Sequence, residues 1–515
     1  MKITLIRAPV TLSRFSSSAP AVPPIGLAYI ASAIKEQNHE ISVIDGIGEA
    51  IDFYCEYEVD TLYRGLSLDE ILERAKPSDV FGLSIMFSQD WPLANELLTK
   101  LHQKYPTAIF VAGGEHVTAE PVGALEDCAA LDVVVSGEGE ATIVELLACL
   151  EGNKSLEAVG GICYRTHTGE IVQNLSRPRT RNLEKFPWPA WDLFPMENYL
   201  ADGHGWGVNR GRSMPIIASR GCPYQCTFCS NPNMWTTRWV VRSVHEVIDE
   251  IRFYVDKYQA TNFDFQDLTA IVKKAWIKEF CQELINAKIK ITWQLPTGTR
   301  TEAIDNEVAH LLYESGCKNI TYAPESGSLE VLKRIKKKID LNDMIKSARQ
   351  CIKAGLDVKF NFIFGFPEDT YTNLLQSMIF MVKLAYIGAS DISVAPFSPY
   401  PGSELFRQLQ EKGKIPRKID DNFYKQIPFA DMLSSTSWCE KISSKNLNRM
   451  QNLALIIFYF VSYIFHPSRP FKRLYNLVYG IEETRMDKAL GDMKRRRKLL
   501  KSGQSSLDPR SIQPF

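Results

Sequence analysis

Much is missing from this 515-residue chain, and each absence narrows what it does. No charge of one sign dominates: 60 Lys and Arg balance 60 Asp and Glu, which leaves no general electrostatic pull toward nucleic acid. No apolar run reaches the roughly 18 residues that a spanning helix needs; the uncharged stretch 453–465 stops at 13 residues. Met1 and Lys2 lead straight into residues 3–6, without the longer apolar core and cleavage site of a secretory signal, so the expectation is a cytoplasmic protein. A hydrophobic content of 45% and a charged content of 23% argue against disorder, collagen and a disulfide scaffold. What remains is an ordinary globular composition, long enough for about three domains.

Cysteine is present but unevenly spread. Eleven cysteines, an odd number in a chain without a secretory signal, read as reduced thiols. Most are scattered, but Arg220-Gly221-Cys222-Pro223-Tyr224-Gln225-Cys226-Thr227-Phe228-Cys229 gathers three in a C-x3-C-x2-C pattern. Three thiolates on a loop opened by Gly221 and Pro223 suit a soft metal centre. Structural zinc wants four closed ligands, and no second CxxC or HxxxH pair lies nearby. An iron–sulfur cluster held by three thiolates leaves one iron open for a substrate or cosubstrate.

Through Cys222, Cys226, Phe228 and Cys229 the segment resembles the C-x3-C-x-aromatic-C signature of the radical S-adenosylmethionine (SAM) superfamily. The resemblance implies a [4Fe-4S] cluster on the three cysteines, which are then both metal ligands and catalytic residues. It implies SAM chelated through its amine and carboxylate at the fourth iron, and reductive cleavage of SAM to methionine and a 5′-deoxyadenosyl radical. An electron donor such as flavodoxin or ferredoxin follows from that chemistry. Phe228 would pack beside the adenine, a role compatible with plain core packing.

Residues 1–150 alternate strand and helix patterns. Short β-branched runs at 1–9, 41–46, 79–85, 107–114 and 131–139 are interleaved with helical spacing at 25–36, 68–75, 91–104 and 140–150. Such alternation gives a parallel sheet covered on both faces, with ligands outside the carboxyl ends of the strands. There is no G-x-G-x-x-G after the first strand, where a Ser/Pro-rich loop (9–24) stands instead, so a dinucleotide domain is disfavoured. The segments 23–46, 82–86, 112–116 and 137–140 resemble the doubly wound, Rossmann-like cobalamin-binding domain that precedes the barrel in one large radical SAM subclass. Carried over residue by residue, the resemblance implies cobalamin contacts at Ser84, Met86, Gly113 and Gly114, and more loosely at Gly137, Glu138, Gly139 and Glu140. The D-x-H-x-x-G motif that supplies a histidine to cobalt is absent; His39, His102 and His116 lack its context. Methylcobalamin held base-off, without a histidine ligand, is therefore expected. Arg14 reads first as a solvated loop residue, and His116, after a Gly-Gly turn, as a loop or capping residue. Glu138 and Glu140 equally suit the N-terminal end of a helix dipole.

Residues 160–174 read as a hairpin with a Thr-Gly turn, and 178–195, rich in proline and aromatics, as a crossing between domains where Trp188 and Trp191 line an interface or simply pack. From 214 to about 401, βα units repeat: 216–219, 262–267, 291–295, 319–327, 358–369 and 391–402 each end a strand pattern. Six units suggest the partial (βα)6 TIM-type barrel of the superfamily, with functional groups at strand C-termini. Asp267 stands where the family holds the SAM amino group, although the commoner Gly-Gly-Glu is replaced here. Arg300 suits the SAM carboxylate, or a surface pair with Glu302 or Asp305. Glu325 and Ser326 match a Glu-Ser-Gly segment that implies ribose or methionine contact, and Gly365 a segment beneath adenine, where Phe364 and Phe366 also serve as core.

Residues 403–515 carry no chemical motif. The segment 453–465 reads first as a buried helix capping the barrel, followed by a solvated basic tail. Its second reading is peripheral contact with an anionic membrane through 453–475. The last fifteen or so residues read as disordered. The expected organisation is an α/β chain: a cobalamin-binding domain (1–150), a hairpin and linker (151–213), a radical SAM partial barrel (214–402) and a mainly helical extension (403–515). The expected activity is methylation of an unactivated carbon in a small, apolar or lipid-like substrate. An oxidative cyclase or ring-rearranging enzyme is the first alternative, and a non-catalytic regulator that binds cobalamin or an iron–sulfur cluster the second. A methylthiotransferase is disfavoured, because the N-terminal domain holds no second set of cluster cysteines.

Overall fold

A computed structural model describes residues 1–16, 20–58, 60–427 and 436–501. The tail read as disordered lies outside the described residues.

Five parallel strands build the first sheet, in spatial order Glu40–Asp45, Lys2–Arg7, Val80–Ser84, Ile109–Gly113 and Val133–Val135. Their side chains alternate between two cores, as the two-residue strand period requires. Leu5, Val111, Val133 and Val135 face Ile25–Lys35 and Gly139–Glu151; Ile6, Phe110, Ala112 and Val134 face Leu68–Arg74 and Trp91–Lys104. Burial on both faces explains why these strands are short, β-branched runs without a polar stripe. The sheet is thus doubly wound, as expected. Local signals agree with it: Ser67 and Glu70 close a reciprocal capping box at the start of Leu68–Arg74.

Two features differ from the sequence reading. The hairpin Ile162–Arg165 and Ile171–Gln173 does not stand apart as a linker; it pairs antiparallel onto Val133–Val135 and extends the first sheet to seven strands. An open sheet edge exposes unpaired backbone groups, and the hairpin covers them. The Ser/Pro-rich loop after the first strand also contains a strand, Val10–Ser13, in a small antiparallel sheet with Thr61–Arg64 and Tyr54–Glu58.

The second sheet has six parallel strands that follow chain order: Ser213–Ile216, Asn262–Phe265, Thr292–Thr299, Cys317–Glu325, Asp357–Phe364 and Asp391–Pro396. Helices Val244–Tyr258, Lys274–Asn286, Asn306–Glu314, Leu341–Ala354 and Tyr371–Ile387 lie between them, the arrangement of a partial barrel. Both hydrophobic cores run on from the first sheet into this one: Leu5 shares a cluster with Phe263 and Phe360, and Phe81 one with Phe366 and Phe397.

The C-terminal helices tie the ends together. Ser444–Phe465 lays Leu447, Ala454 and Phe458 onto Tyr371–Ile387 and the last barrel strand. Arg485–Lys501 then crosses beneath the barrel, where buried Lys488 donates to the carbonyls of Gly205 and Gly207 at 2.9 and 2.6 Å. Its far end reaches the small N-terminal sheet, where Arg496 donates to the Ser16 carbonyl at 2.5 Å.

Candidate cofactor and substrate site

The carboxyl ends of the first sheet face the mouth of the barrel across a cavity of about 470 Å³, within the range of small-molecule sites. All eight residues assigned to cobalamin on the sequence resemblance line it: Ser84 and Met86 after one strand, Gly113 and Gly114 after the next, and Gly137 to Glu140 after the fifth. Backbone geometry explains the glycines. Gly114 has φ +122°, and a Cβ there would lie 2.3 Å from the Ile85 carbonyl oxygen. At Gly26, on the cavity wall, a Cβ would meet nothing within 4 Å, so the missing side chain leaves open space along the strand ends. The walls are mostly apolar, with Met86, Leu268, Met234 and Tyr400 among them. A long groove of bare backbone and apolar wall is what a cobalamin tail and ring would need.

No histidine lines the cavity among the described residues. His116 lies nearby but is buried: its Nδ1 bonds the Ser88 hydroxyl at 3.0 Å, and its ring packs against Trp91 and Tyr424. Burial lowers its pKa to about 3. It is a neutral core residue rather than the loop or cap that the sequence implied. Arg14 pairs with Glu56 on the small sheet, as a surface arginine does.

Glu138 and Glu140 do more than favour a helix N-terminus. Arg220, immediately before the cysteine loop, donates to Glu140 at 2.5 Å and lies 3.5 Å from Glu138. Arg179 bonds Glu138 at 3.3 Å and the Trp235 carbonyl at 2.6 Å. Arg220 also stacks over Tyr29, 4.8 Å from the ring centroid. Burial opposes the Arg220 charge most strongly, but Glu140, Tyr29 and Glu138 together outweigh it and raise the guanidinium pKa. These buried pairs join the first sheet to the barrel at the cavity wall.

The cysteine loop leaves the first barrel strand beyond Ser219–Arg220. Its three thiols are partly buried and unbridged. Burial pushes the Cys229 thiol up to about 12, against a hydrogen bond from the Asn231 backbone N–H. Burial likewise raises Cys226, while the Lys337 and Arg300 charges pull it down. Thr269 donates to Cys222 Sγ at 3.5 Å. Among the described residues no three His, Cys, Asp or Glu converge as the ligands of a single ion do. A polynuclear cluster takes one thiolate per iron, so its ligands stand apart, and neighbouring cations offset their charge. The triad fits an iron–sulfur cluster on those grounds.

The residues assigned to SAM ring the same loop, and most already have protein partners. Asp267 is buried and accepts hydrogen bonds from the Ala218 N–H at 3.1 Å and the Ser219 hydroxyl at 2.6 Å; burial raises its pKa to about 6. Arg300 pairs with Glu302 and lies over the Tyr224 ring, 3.9 Å from its centroid. Glu325 ends its strand with φ +65°, in the left-handed region, and pairs with Lys337 at 2.9 Å. Ser326 bonds the Ser377 hydroxyl at 3.0 Å. Gly365 has φ +85°, and a Cβ there would strike Leu447 of the C-terminal helix at 2.8 Å, so its glycine answers to packing there. Phe228 packs on Phe366, 5.7 Å between centroids, with Lys337 Nζ 6.0 Å from its ring.

Residues 216–381 match the radical SAM superfamily and residues 15–147 match the B12 binding domain. The chain is 30% identical over 410 residues to an uncharacterized methyltransferase of Pyrococcus horikoshii, covering 79% of this chain and 82% of the relative. It belongs to the cobalamin-dependent radical SAM enzymes. The enzyme is also 30% identical over 457 residues to the cytidylyl-2-hydroxyethylphosphonate methyltransferase of Streptomyces wedmorensis, covering 80% of this chain and 82% of that one. Identity to the anaerobic magnesium-protoporphyrin IX monomethyl ester cyclase of Rubrivivax gelatinosus is 24% over 442 residues, covering 84% of this chain and 75% of that one. Among solved structures, the cobalamin-dependent SAM radical enzyme OxsB, with aqua-cobalamin and SAM bound, shares the fold: its TM-score is 0.67 at 17% identity, covering all of this chain and 82% of that one. Its cofactors are therefore a [4Fe-4S] cluster, SAM and cobalamin.

Sequence reasoning missed Arg179, Arg220 and Lys337. Arg220 abuts the cysteine motif and carried a signal: a buried arginine there needs an acid, and Glu138 and Glu140 were already in view. Lys337 sits in the basic run 333–338, which reads as a solvated face until the fold lays it on the cysteine loop.

Proposed function

We propose that the enzyme transfers a methyl group to an unactivated carbon of an apolar small molecule. The observation that carries this reading is the shared cavity: the strand-end residues matched to cobalamin and the rim of the cysteine loop form its opposite walls. When bound, the three cofactors supply a radical route by which a methyl group reaches a carbon that no polar mechanism would activate.

The chain's own residues do the rest. Cys222, Cys226 and Cys229 would hold the cluster, with Thr269 and the Asn231 N–H donating to the sulfurs. Lys337 fixes the strained strand end at Glu325, and Asp267 fixes the backbone at 218–219, so that Glu325, Ser326 and Asp267 present a rigid rim toward SAM. Arg300 is disposed to exchange Glu302 for the SAM carboxylate. Ser84, Met86, Gly113, Gly114 and the 137–140 turn would hold cobalamin without a histidine ligand. Leu268, Met234 and Tyr400 would exclude water and favour an apolar substrate. Lys336 and Lys338, exposed beside the loop, offer an approach for an acidic one-electron donor.

The test is anaerobic reconstitution with iron, sulfide and hydroxocobalamin, followed by turnover with methyl-labelled SAM. Product that gains one labelled methyl, with 5′-deoxyadenosine and S-adenosylhomocysteine formed together, is expected. The relatedness to cyclases favours one second reading, oxidative cyclisation, for which product would lose hydrogen and gain no label.

A further inference from the structure

A helix that is apolar on one face needs one apolar neighbour; a helix apolar on both faces needs two. Ser444–Phe465 is of the second kind. Leu447, Ala454 and Phe458 are buried against the barrel, yet Leu453, Ile456, Phe460 and Ile464 on the other side are exposed. The cap expected from the sequence is thus only half of what this helix does. The chain then bends by 112° into Ser468–Tyr479, where Asn476 alone is buried. Phe471, Leu474, Tyr475, Val478 and Tyr479 all face outward, and Phe471 is 75% exposed. Leu375, Ile379 and Tyr386 of the neighbouring helix Tyr371–Ile387 are exposed as well. Scattered exposed apolar residues are ordinary, but a face of three helices is not.

Charge decides what covers this face. The three helices contain no Asp or Glu at all. Their basic residues are Lys383, Lys445, Arg449, Arg469, Lys472 and Arg473. Arg469 and Arg473 turn inward, to the Ala389 carbonyl at 2.7 Å and to Asp391 at 2.9 Å. Lys383, Lys445, Arg449 and Lys472 are exposed, and Lys472 reaches Glu483 at 2.7 Å on the rim. A second copy of the chain would bring the same cationic surface against itself. An anionic bilayer is complementary both to the apolar face and to its charge. No single helix among the described residues is long and apolar enough to cross a membrane, and the sharp bend suits two segments lying in the interface.

We propose that this three-helix face docks the enzyme on an anionic membrane surface, with Phe460, Phe471 and Tyr475 inserted at headgroup depth and the exposed lysines and Arg449 at the phosphates. The proposal stands apart from the methyl-transfer reading, since it rests on no residue of the cofactor cavity. The reconstituted full-length enzyme is to be sedimented with vesicles of phosphatidylcholine containing phosphatidylglycerol, and with phosphatidylcholine alone. Binding to the anionic vesicles, weakened by salt, is expected. Phe471→Asp and, separately, Val478→Asp should each lower partitioning by roughly tenfold or more, and Lys445→Glu with Arg449→Glu should remove the preference for phosphatidylglycerol. Iron and cobalt content should stay unchanged in all of them, which separates loss of docking from loss of folding. Failure to sediment with either vesicle overturns the proposal. So does self-association in the absence of lipid that Phe471→Asp abolishes, because the face would then belong to a second copy.

Discussion

The two sides of the proposed cofactor site are built on opposite principles. At the ends of the first sheet, Gly26, Gly113 and Gly137 withhold side chains and the surroundings are apolar, so the wall is a shape waiting to be filled. At the barrel mouth, outside the cavity lining itself, the side chains matched to SAM already have partners: Asp267 has Ser219, Glu325 has Lys337, Arg300 has Glu302. A large cofactor needs empty space, whereas a small charged one needs groups held in place beforehand, because each unpaired buried charge would be costly. The two walls should therefore fail in different ways.

The largest effect separates them outright. Cys226→Ala should abolish iron retention and SAM cleavage while cobalamin stays bound, as read by metal analysis after desalting; loss of cobalt along with iron would mean the walls are not independent. Next comes the joint between them. Arg220→Met strands Glu140 without its buried partner and should cost about 3–5 kcal/mol in urea unfolding, with both metals weakened together. Gly26→Leu tests the empty wall alone. Its side chain meets open space, so helix stability should hold or rise by roughly 0.5–1 kcal/mol. Cobalamin retention should nonetheless fall by roughly tenfold or more, and normal cobalt content would refute the slot.

A smaller effect is read in pH. His116 has its pKa lowered from 6.5 to about 3 by burial. Its neutral ring contributes full stability above pH 6.5, and that contribution is lost as pH falls toward 3, because the unfolded chain takes up the proton first. The slope is about 1.4 kcal/mol per pH unit for one such group. His116→Gln should flatten the urea stability profile below pH 6.5 by that amount; an unchanged slope would place the ring in contact with water. Smallest is Glu302→Gln, which frees Arg300 from a half-exposed partner and should change stability by less than about 1 kcal/mol. If Arg300 serves the SAM carboxylate, the KM for SAM should fall while kcat holds.

The helix and strand order of both domains was legible because it rests on periodicity, which needs no partner. The eight cavity residues came instead from the resemblance to cobalamin domains; of them only the four glycines carry a local signal, since a glycine at a strand end permits close approach whatever lies opposite. The C-x3-C-x2-C motif stood out for a related reason: its spacing alone suits a soft metal centre, and the resemblance then implies the cluster. Pairings across long separations were not legible. Nothing local marks Glu138 as the partner of Arg179, or Gly365 as the seat of Leu447, because those contacts exist only after the linker and the C-terminal helix have packed. Val10–Ser13 was overlooked for a third reason: four residues are too few to establish a period, and its partners arrive more than forty positions later.

Arg220 has one more implication. It is the residue that launches the cysteine loop, and its counter-charges belong to the other domain. The two halves are consequently not interchangeable modules. A chimera that grafts the barrel of one relative onto the cobalamin domain of another would inherit a mismatched hinge unless Tyr29, Glu138, Glu140, Arg179 and Arg220 travel as one set. Lineages that exchanged substrates would be expected to have done so by altering the cavity lining while leaving that set intact.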